Sequence, residues 1–289
     1  MSTLLVAPTR AEMRDHLVAT RLAGSVATPR ENNLANFART SRREPLYLFG
    51  LRPAGRWSYE DVLALMAERC GVVPDPAYVA GPDTIDPDRT LDRLDAMADR
   101  IAAAATRRER VVVATGHPVG LRPTHTAVAR GLAAAGCELL TPAGGWAHPD
   151  VPELGEQSGT LDWVDSVGVL RSPYGALKHT HSPLLMEAVL AALSDSGAAP
   201  PDLVLADHGW AGAAGQAGVD AVGFADCNDP ALFVGEAEGR VLSCVPLDDN
   251  VDPRHYQPLT AYLLDRAGLG TPPSATEHFA RRLSTSRAD

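Results

Sequence analysis

The chain reads as an α/β protein with a three-layer, Rossmann-like core: a mainly parallel sheet with helices on both faces, and an N-terminal helical cap. Three observations predict this. From Val111 onward, short β-branched and aliphatic runs alternate with helix-patterned segments, the signature of parallel strands joined by crossover helices. Two of these runs, Leu203–Ala206 and Val219–Ala225, each end in an acid-rich loop, Asp207-His208-Gly209 and Asp226-Cys227-Asn228-Asp229. In a parallel sheet the loops after the carboxyl ends of the strands line the ligand crevice, so both would open on one edge. Finally, 289 residues with 45% apolar and 21% charged content supply a sizeable core and argue against disorder.

The elements follow in order. Thr9-Arg-Ala-Glu12 is a capping box that opens a helix through Met13, Leu17 and Leu22 to Gly24. Thr28-Pro-Arg-Glu-Asn-Asn33 is dense in polar groups. It is either a loop of turn formers or a ligand contact in which Arg30, Asn32 and Asn33 reach an anionic group, with Arg30 supplying the fork. Tyr47–Leu51 reads as a strand. Ser58-Tyr-Glu-Asp61 is a second capping box, starting a helix that ends at Gly71. Pro74–Pro87 is an irregular Pro/Asp loop, and Leu91, Leu94, Met97 and Ile101 recur at helical spacing.

The core then begins. Val111–Ala114 is a strand that runs into Thr115-Gly-His-Pro-Val-Gly120 and a helix over about 124–135, stopped by Gly136. Glu138–Thr141 and Val164–Leu170 are further strands. Ser182-Pro183 is a cap and first-turn pair for the helix Leu184–Leu193. After the two acid-ended strands come a helix from Pro230 and a strand Arg240–Pro246. Helices around Leu259–Leu264 and Glu277–Leu283 and a short tail complete the chain. No linker or repeat divides it, so one domain over 1–289 is expected: a mostly helical cap over about 1–105, a sheet core over about 106–270, and a terminal helix and tail over 271–289.

The net charge of −10 argues against nucleic acid, whose phosphate backbone needs a basic surface. The four cysteines are far apart, without CxxC spacing, and read as reduced core thiols. No signal-peptide core or transmembrane-length apolar run is visible, so a cytoplasmic protein is expected, with homo-oligomerisation left open.

Four loops carry the candidate chemistry. Thr115–Gly120 follows a strand and opens a helix, a setting that suits phosphate. It lacks both the Walker ending and GxGxxG, which argues against an NTPase or a dinucleotide enzyme. Lys178-His-Thr-His-Ser182 places His179 and His181 on the same side of an extended segment. The loops from Asp207 and Asp226 add carboxylates, with helix capping as the alternative role for Asp207 and Asp229. Between them lies Ala211–Gly218, all Gly and Ala apart from Gln216, where a backbone could approach a ligand closely. Asp207, Asp226 and Asn228 suit a hard cation with oxygen ligands, most simply Mg²⁺; if His181 joins, Mn²⁺ or another transition ion becomes plausible. His117, Asp207, His208 and Asp226 are the candidate catalytic groups. Thr115, Gly116, Gly120, Lys178, His179 and Gly212, with Arg30, Asn32 and Asn33, are the candidate substrate contacts. A metal beside helix N-termini, with histidines for proton transfer, suits phosphoryl transfer to water. The covalent motifs DxDxT/V and RHG are absent.

The segments ATGHPVGL, KHTHS, ADHGWAGAAGQ and GFADCNDPALF, with the early TPRENNL, resemble a family of actinobacterial phosphatases over most of the chain. Val119 stands where that family commonly has Gly. More distantly, the strand–TGxP turn and the Asp/Asn loop are similar to metal-dependent carbohydrate-phosphate phosphatases and to the C-terminal domain of D-glutamate cyclase. The resemblance implies a phosphatase reaction and assigns no substrate; the acid/amide cluster beside two candidate phosphate-binding turns makes a small phosphorylated metabolite, such as a sugar, amino-alcohol or nucleoside phosphate, the expected substrate. The alternatives are a D-glutamate cyclase-like lyase and a non-catalytic metabolite-binding protein.

Overall fold

The computed structural model describes residues 7–152 and 155–270; the expected helix Glu277–Leu283 lies outside them. The N-terminal part holds α1 (Arg10–Ala19), β1 (Gly24–Pro29), α2 (Arg30–Ser41), a 3₁₀ turn (Pro45–Leu48), α3 (Tyr59–Arg69) and β2 (Pro82–Ile85). Both capping boxes form as expected, from Thr9 with Glu12 and from Ser58 with Asp61. β1 and β2 pair antiparallel, so the cap is not wholly helical.

Two local expectations fail here for identifiable reasons. Tyr47–Leu51 is no strand: Phe49 (φ 52°) and Gly50 (φ 82°) are both left-handed and turn the chain. At Gly50 a Cβ would lie 2.6 Å from Pro183 Cβ, so glycine also lets this turn sit against the core. The polar stretch 28–33 is likewise no loop. It is the end of β1 and the first turn of α2, whose Arg30, Asn33 and Phe37 all face inward.

The core comprises α4 (Pro87–Arg107), β3 (Arg110–Ala114), α5 (Arg122–Ala134), β4 (Glu138–Leu139), β5 (Ala147–His148), β6 (Gly159–Val164), β7 (Val167–Arg171), β8 (Leu177–Lys178), α6 (Leu184–Asp195), β9 (Leu203–Leu205), α7 (His208–Gln216), β10 (Ala221–Ala225), α8 (Pro230–Ala237), β11 (Ser243–Pro246) and α9 (Tyr256–Arg266). The sheet runs β11-β10-β9-β3-β7-β6-β5, with β4 beside β3 and β8 beside β7. β11, β10, β9, β3 and β7 are parallel, as expected. Their fully buried Val, Leu and Ala side chains are what a strand covered on both faces requires. α4, α5 and α9 pack together on one side, and α6, α7 and α8 on the other.

The expected strand Val164–Leu170 is instead a hairpin. Asp165 (φ 52°) and Ser166 (φ 65°) form its two-residue turn, and β6, β5 and β8 extend the sheet antiparallel. Two consecutive left-handed residues match the twist of paired strands. Among the described residues, no helix is long and apolar enough to cross a membrane.

Candidate active site

Because β3, β9, β10 and β11 run in parallel, the residues that follow them meet at one edge of the sheet. The centre is Asp207, fully buried just after β9. Its Oδ1 accepts from the Gly116 amide (2.6 Å) and from His208 Nδ1 (2.8 Å), and its Oδ2 accepts from Thr115 Oγ1 (2.5 Å). It occupies the N-cap position of α7 without capping it, and Asp229 likewise leaves α8 uncapped. Helix capping therefore explains neither carboxylate.

His208 is held at φ 46°, a left-handed conformation that is strained for a residue with a Cβ. With Nδ1 turned to Asp207, its Nε2 faces Asp229 Oδ2 at 3.3 Å and Asp249 Oδ2 at 3.6 Å. His117 Nδ1 lies 3.3 Å from the same Asp249 oxygen. Two more imidazoles close the group: His179 sits 4.1 Å from His117, and His181 stacks on His208 at 4.7 Å and 11°. Phe49 packs edge-on against His181 and His208.

On the other side Asp226, Asp248 and Asp249 bring three buried carboxylates within reach of one ion. Asp226 accepts from Thr28 Oγ1 and from the Cys227 amide, both at 2.6 Å. Two further sets of donors, His117–His179–His208 and His181–His208–Asp229, share His208. Among the described residues the ion-pair partners of Asp207, Asp229 and Asp249 are all histidines. Four buried atoms of the cluster have no hydrogen-bond partner: His117 Nδ1, His125 Nε2, His208 Nε2 and Asp249 Oδ2. Such a concentration of unsatisfied groups marks a place where something binds.

The electrostatics follow from this crowding. Burial, reinforced by the positive field of His208, pushes His117 and His181 down to about 2 and His179, on the rim, down to about 4. Burial would also lower His208, but the hydrogen bond with Asp207 and the negative charges of Asp207 and Asp229 outweigh it and hold the ring well above the usual histidine range. Burial raises Asp226 to about 7, with the neighbouring Asp248 adding to it. Asp249 is likewise held well above the carboxylate range, burial first, although His208 opposes it. Burial works against ionised Asp207, but the His208 hydrogen bond and charge dominate and keep it below its ordinary value.

The family described as "Phosphatase" matches residues 8–271. A protein of Streptomyces coelicolor named "Phosphatase SCO2771" is 51% identical over 266 residues, covering 91% of this chain and 97% of that protein. The chain belongs to this phosphatase family.

In this phosphatase-family chain several expected contacts have other tasks. Arg30 is no ligand fork: it is fully buried, paired with Asp83 at 2.8 Å, and its other nitrogens donate to Tyr78 O and Asp75 O. Asn33 donates to Asp83 and to Cys227 Sγ. Asn32 is half-buried on α2, and among the described residues its side chain makes no hydrogen bond. Thr115 and the Gly116 amide are committed to Asp207. A Cβ on Gly116 would meet Thr180 O at 2.3 Å, and one on Gly120 would meet Asp249 O at 3.0 Å, so both glycines leave room for loops of the site. The stretch around Gly212 is no ligand loop but α7; a Cβ there would lie 2.0 Å from Phe49 O, so this glycine serves helix packing. Lys178 sits on the edge strand β8, with its ammonium toward Gln157.

Asp207 and Asp226 do not fall in one set of donors: Asp226 is grouped with Asp248 and Asp249, while Asp207 already accepts three hydrogen bonds. Asn228 is half-buried beside them, its carbonyl accepting from Asn36. Sequence reasoning missed Asp248 and Asp249, although they repeat the strand-then-acid pattern after β11. It also missed Glu156, whose carboxylate accepts from Thr180 Oγ1 (2.8 Å) and the His181 amide (2.6 Å), and His148, bonded to Ser182 Oγ (2.8 Å). No spacing in the chain marks these last two. An open cavity of about 800 Å³ between α3 and the end of α8 is lined by Arg56, Trp57, Arg69 and Glu238 and by none of the cluster residues.

Proposed function

We propose that the chain is a metal-dependent phosphomonoesterase acting on a small phosphorylated metabolite, such as a sugar, amino-alcohol or nucleoside phosphate. The family membership supports the phosphatase class. The observation that carries the metal dependence is the cluster of buried carboxylates whose ion-pair partners are histidines, together with the unpartnered His117 Nδ1, His208 Nε2 and Asp249 Oδ2. Charges buried in this way are paired or coordinate a metal. The residues fit such an ion: the oxygen donors of Asp226, Asp248 and Asp249 suit Mg²⁺ or Mn²⁺, and the imidazoles suit Mn²⁺ or another transition ion.

When bound, a divalent cation supplies positive charge against the phosphoryl oxygens and acidifies the attacking water. The chain's own groups do the rest. Asp207 fixes the tautomer and direction of the His208 ring. His179, exposed at the rim and with its pKa lowered to about 4, is the group proposed to accept a proton from water. Phe49 keeps the inner edge of the rings dry.

Phosphate release from a panel of phosphomonoesters, with Mg²⁺, Mn²⁺ or EDTA, tests the proposal. Release that depends on the cation is expected; no release under any cation overturns it. Parallel incubations with D-glutamate followed by mass spectrometry would reveal the water loss that a cyclase-like lyase produces instead.

A further inference from the structure

Resting on the metal-dependent reading above, we infer that the cluster is built for two divalent cations side by side, with Asp249 as the carboxylate between them. The first pocket is all oxygen, from Asp226, Asp248 and Asp249; the second is rich in imidazole, from His208, His181 and Asp229, with His117 and His179 against it. Asp249 belongs to the first pocket by its neighbours. Its unpartnered Oδ2 also lies 3.3 Å from His117 Nδ1 and 3.6 Å from His208 Nε2, donors of the second set. A carboxylate in this position can place one oxygen on each ion.

Three independent features favour two ions over one. Donor number comes first: four carboxylates and four imidazoles converge here, whereas Mg²⁺ and similar ions are satisfied by about six ligands at roughly 2.0–2.1 Å. Charge comes second: one divalent ion leaves Asp226, Asp229, Asp248 and Asp249 half-compensated in a buried site, and two ions balance them. The third feature is the direction of the orphan atoms. His208 donates Nδ1–H to buried Asp207 and turns an unpartnered, buried Nε2 toward Asp229 and Asp249, the arrangement that presents an imidazole to a metal. Pairs of ions about 3.5–4 Å apart are a recurring device for holding both the attacking and the leaving oxygen of a phosphoryl group. The two donor sets also differ in kind, so Mg²⁺ should fill the oxygen pocket in preference, and Mn²⁺ both.

The test is metal content and electron paramagnetic resonance of the full chain, stripped with EDTA, reloaded with Mn²⁺ and freed of excess ion. Wild type should hold two ions per chain and show a spin-coupled spectrum. Asp248→Asn and His181→Ala should each hold one and show the spectrum of an isolated ion, with melting curves confirming that they fold. If either variant does not fold, the wild-type stoichiometry and coupling decide alone. A wild-type chain that saturates with one uncoupled ion overturns the pair, and cation-dependent phosphate release would then leave the phosphatase proposal standing. Phosphate release by a chain that binds no ion would overturn both.

Discussion

At the scale of single residues, Asp207 is the position where a one-atom change is most informative. Both of its oxygens accept hydrogen bonds, Oδ1 from the Gly116 amide and His208 Nδ1 and Oδ2 from Thr115 Oγ1. In Asp207→Asn the amide oxygen can keep the Gly116 and His208 donors only with its NH₂ group facing Thr115 Oγ1, whose hydroxyl must then turn, and a neutral acceptor holds the His208 ring less firmly than a carboxylate. Cation affinity or activity should fall by about 10–100-fold, as for other groups that orient a metal-bound imidazole. Cation titration and phosphate release would measure this, and a retained far-ultraviolet circular dichroism spectrum would show that the fold survives. Had Asp207 been only a helix cap, Asn would have replaced it without loss. Asp207 is thus more consequential as a support for His208 than as a ligand in its own right. The sequence could not separate these roles, because both require an acid at a strand end.

Between elements, two contacts decide whether the histidines are held in place. α7 approaches the Phe49 turn so closely that a Cβ on Gly212 would lie 2.0 Å from a backbone carbonyl, which cannot rotate aside. Gly212→Ala should destabilise the chain by about 1–3 kcal/mol in thermal or urea unfolding. Activity should fall as well, because Phe49 packs against His181 and His208. The second contact is the antiparallel arm. Glu156, near its start, accepts from Thr180 and from the His181 amide. In Glu156→Gln the NH₂ group would either oppose the His181 amide or force the Thr180 hydroxyl to turn, and a neutral acceptor would hold the His179–His181 loop less firmly, while the oxygen pocket is untouched. The expected outcome is weaker Mn²⁺ binding at the imidazole pocket by about tenfold or more, with Mg²⁺ binding unchanged, both read by calorimetric titration. These two elements also show where the sequence was legible. The parallel strands β3, β9, β10 and β11 announced themselves because burial on both faces demands unbroken apolar runs. The hairpin at Asp165-Ser166 and the turn at Phe49 did not. The hairpin's left-handed residues, Asp165 and Ser166, are not glycines, and at the other turn Gly50 has a left-handed phenylalanine before it, which local preference does not announce. The loops after β3, β9 and β10 followed from topology. Asp248 and Asp249 would have followed too, had the pattern been extended one strand further. Glu156 and His148 reach the site only through pairing of the arm, which no local pattern encodes.

For the whole molecule, the buried charges set a dependence of stability on pH. Asp226, raised to about 7, and Asp249 and His208, held well above their ordinary values, all favour the protonated form in the folded state. Their contribution is fully present below the unfolded-state values and is lost as pH rises through the folded-state ones. His117, His179 and His181 act in the opposite sense, withdrawing stability as pH falls below about 6.5. Above that pH only the first group operates. The melting temperature of the cation-free chain should therefore fall between about pH 6.5 and 8.5, with each fully released proton worth up to about 1.4 kcal/mol per pH unit. Added Mn²⁺ should raise it most at the alkaline end, where protons no longer compete, and calorimetry at matched ionic strength would follow both trends. The same scarcity of fixed positive charge bears on how the molecule meets its environment. A cleft lined with arginine holds an anion whatever the ionic milieu. Under the metal-dependent proposal the grip on orthophosphate would be lent by the cations, and by reciprocity the anion would tighten the hold on the cations by the same factor. Ions and ester would then favour each other's binding in either order, and stripping the ions would weaken the hold on the product. Turnover becomes a readout of the free divalent supply, so that the chain would work as a sensor of its metal as well as a consumer of its substrate.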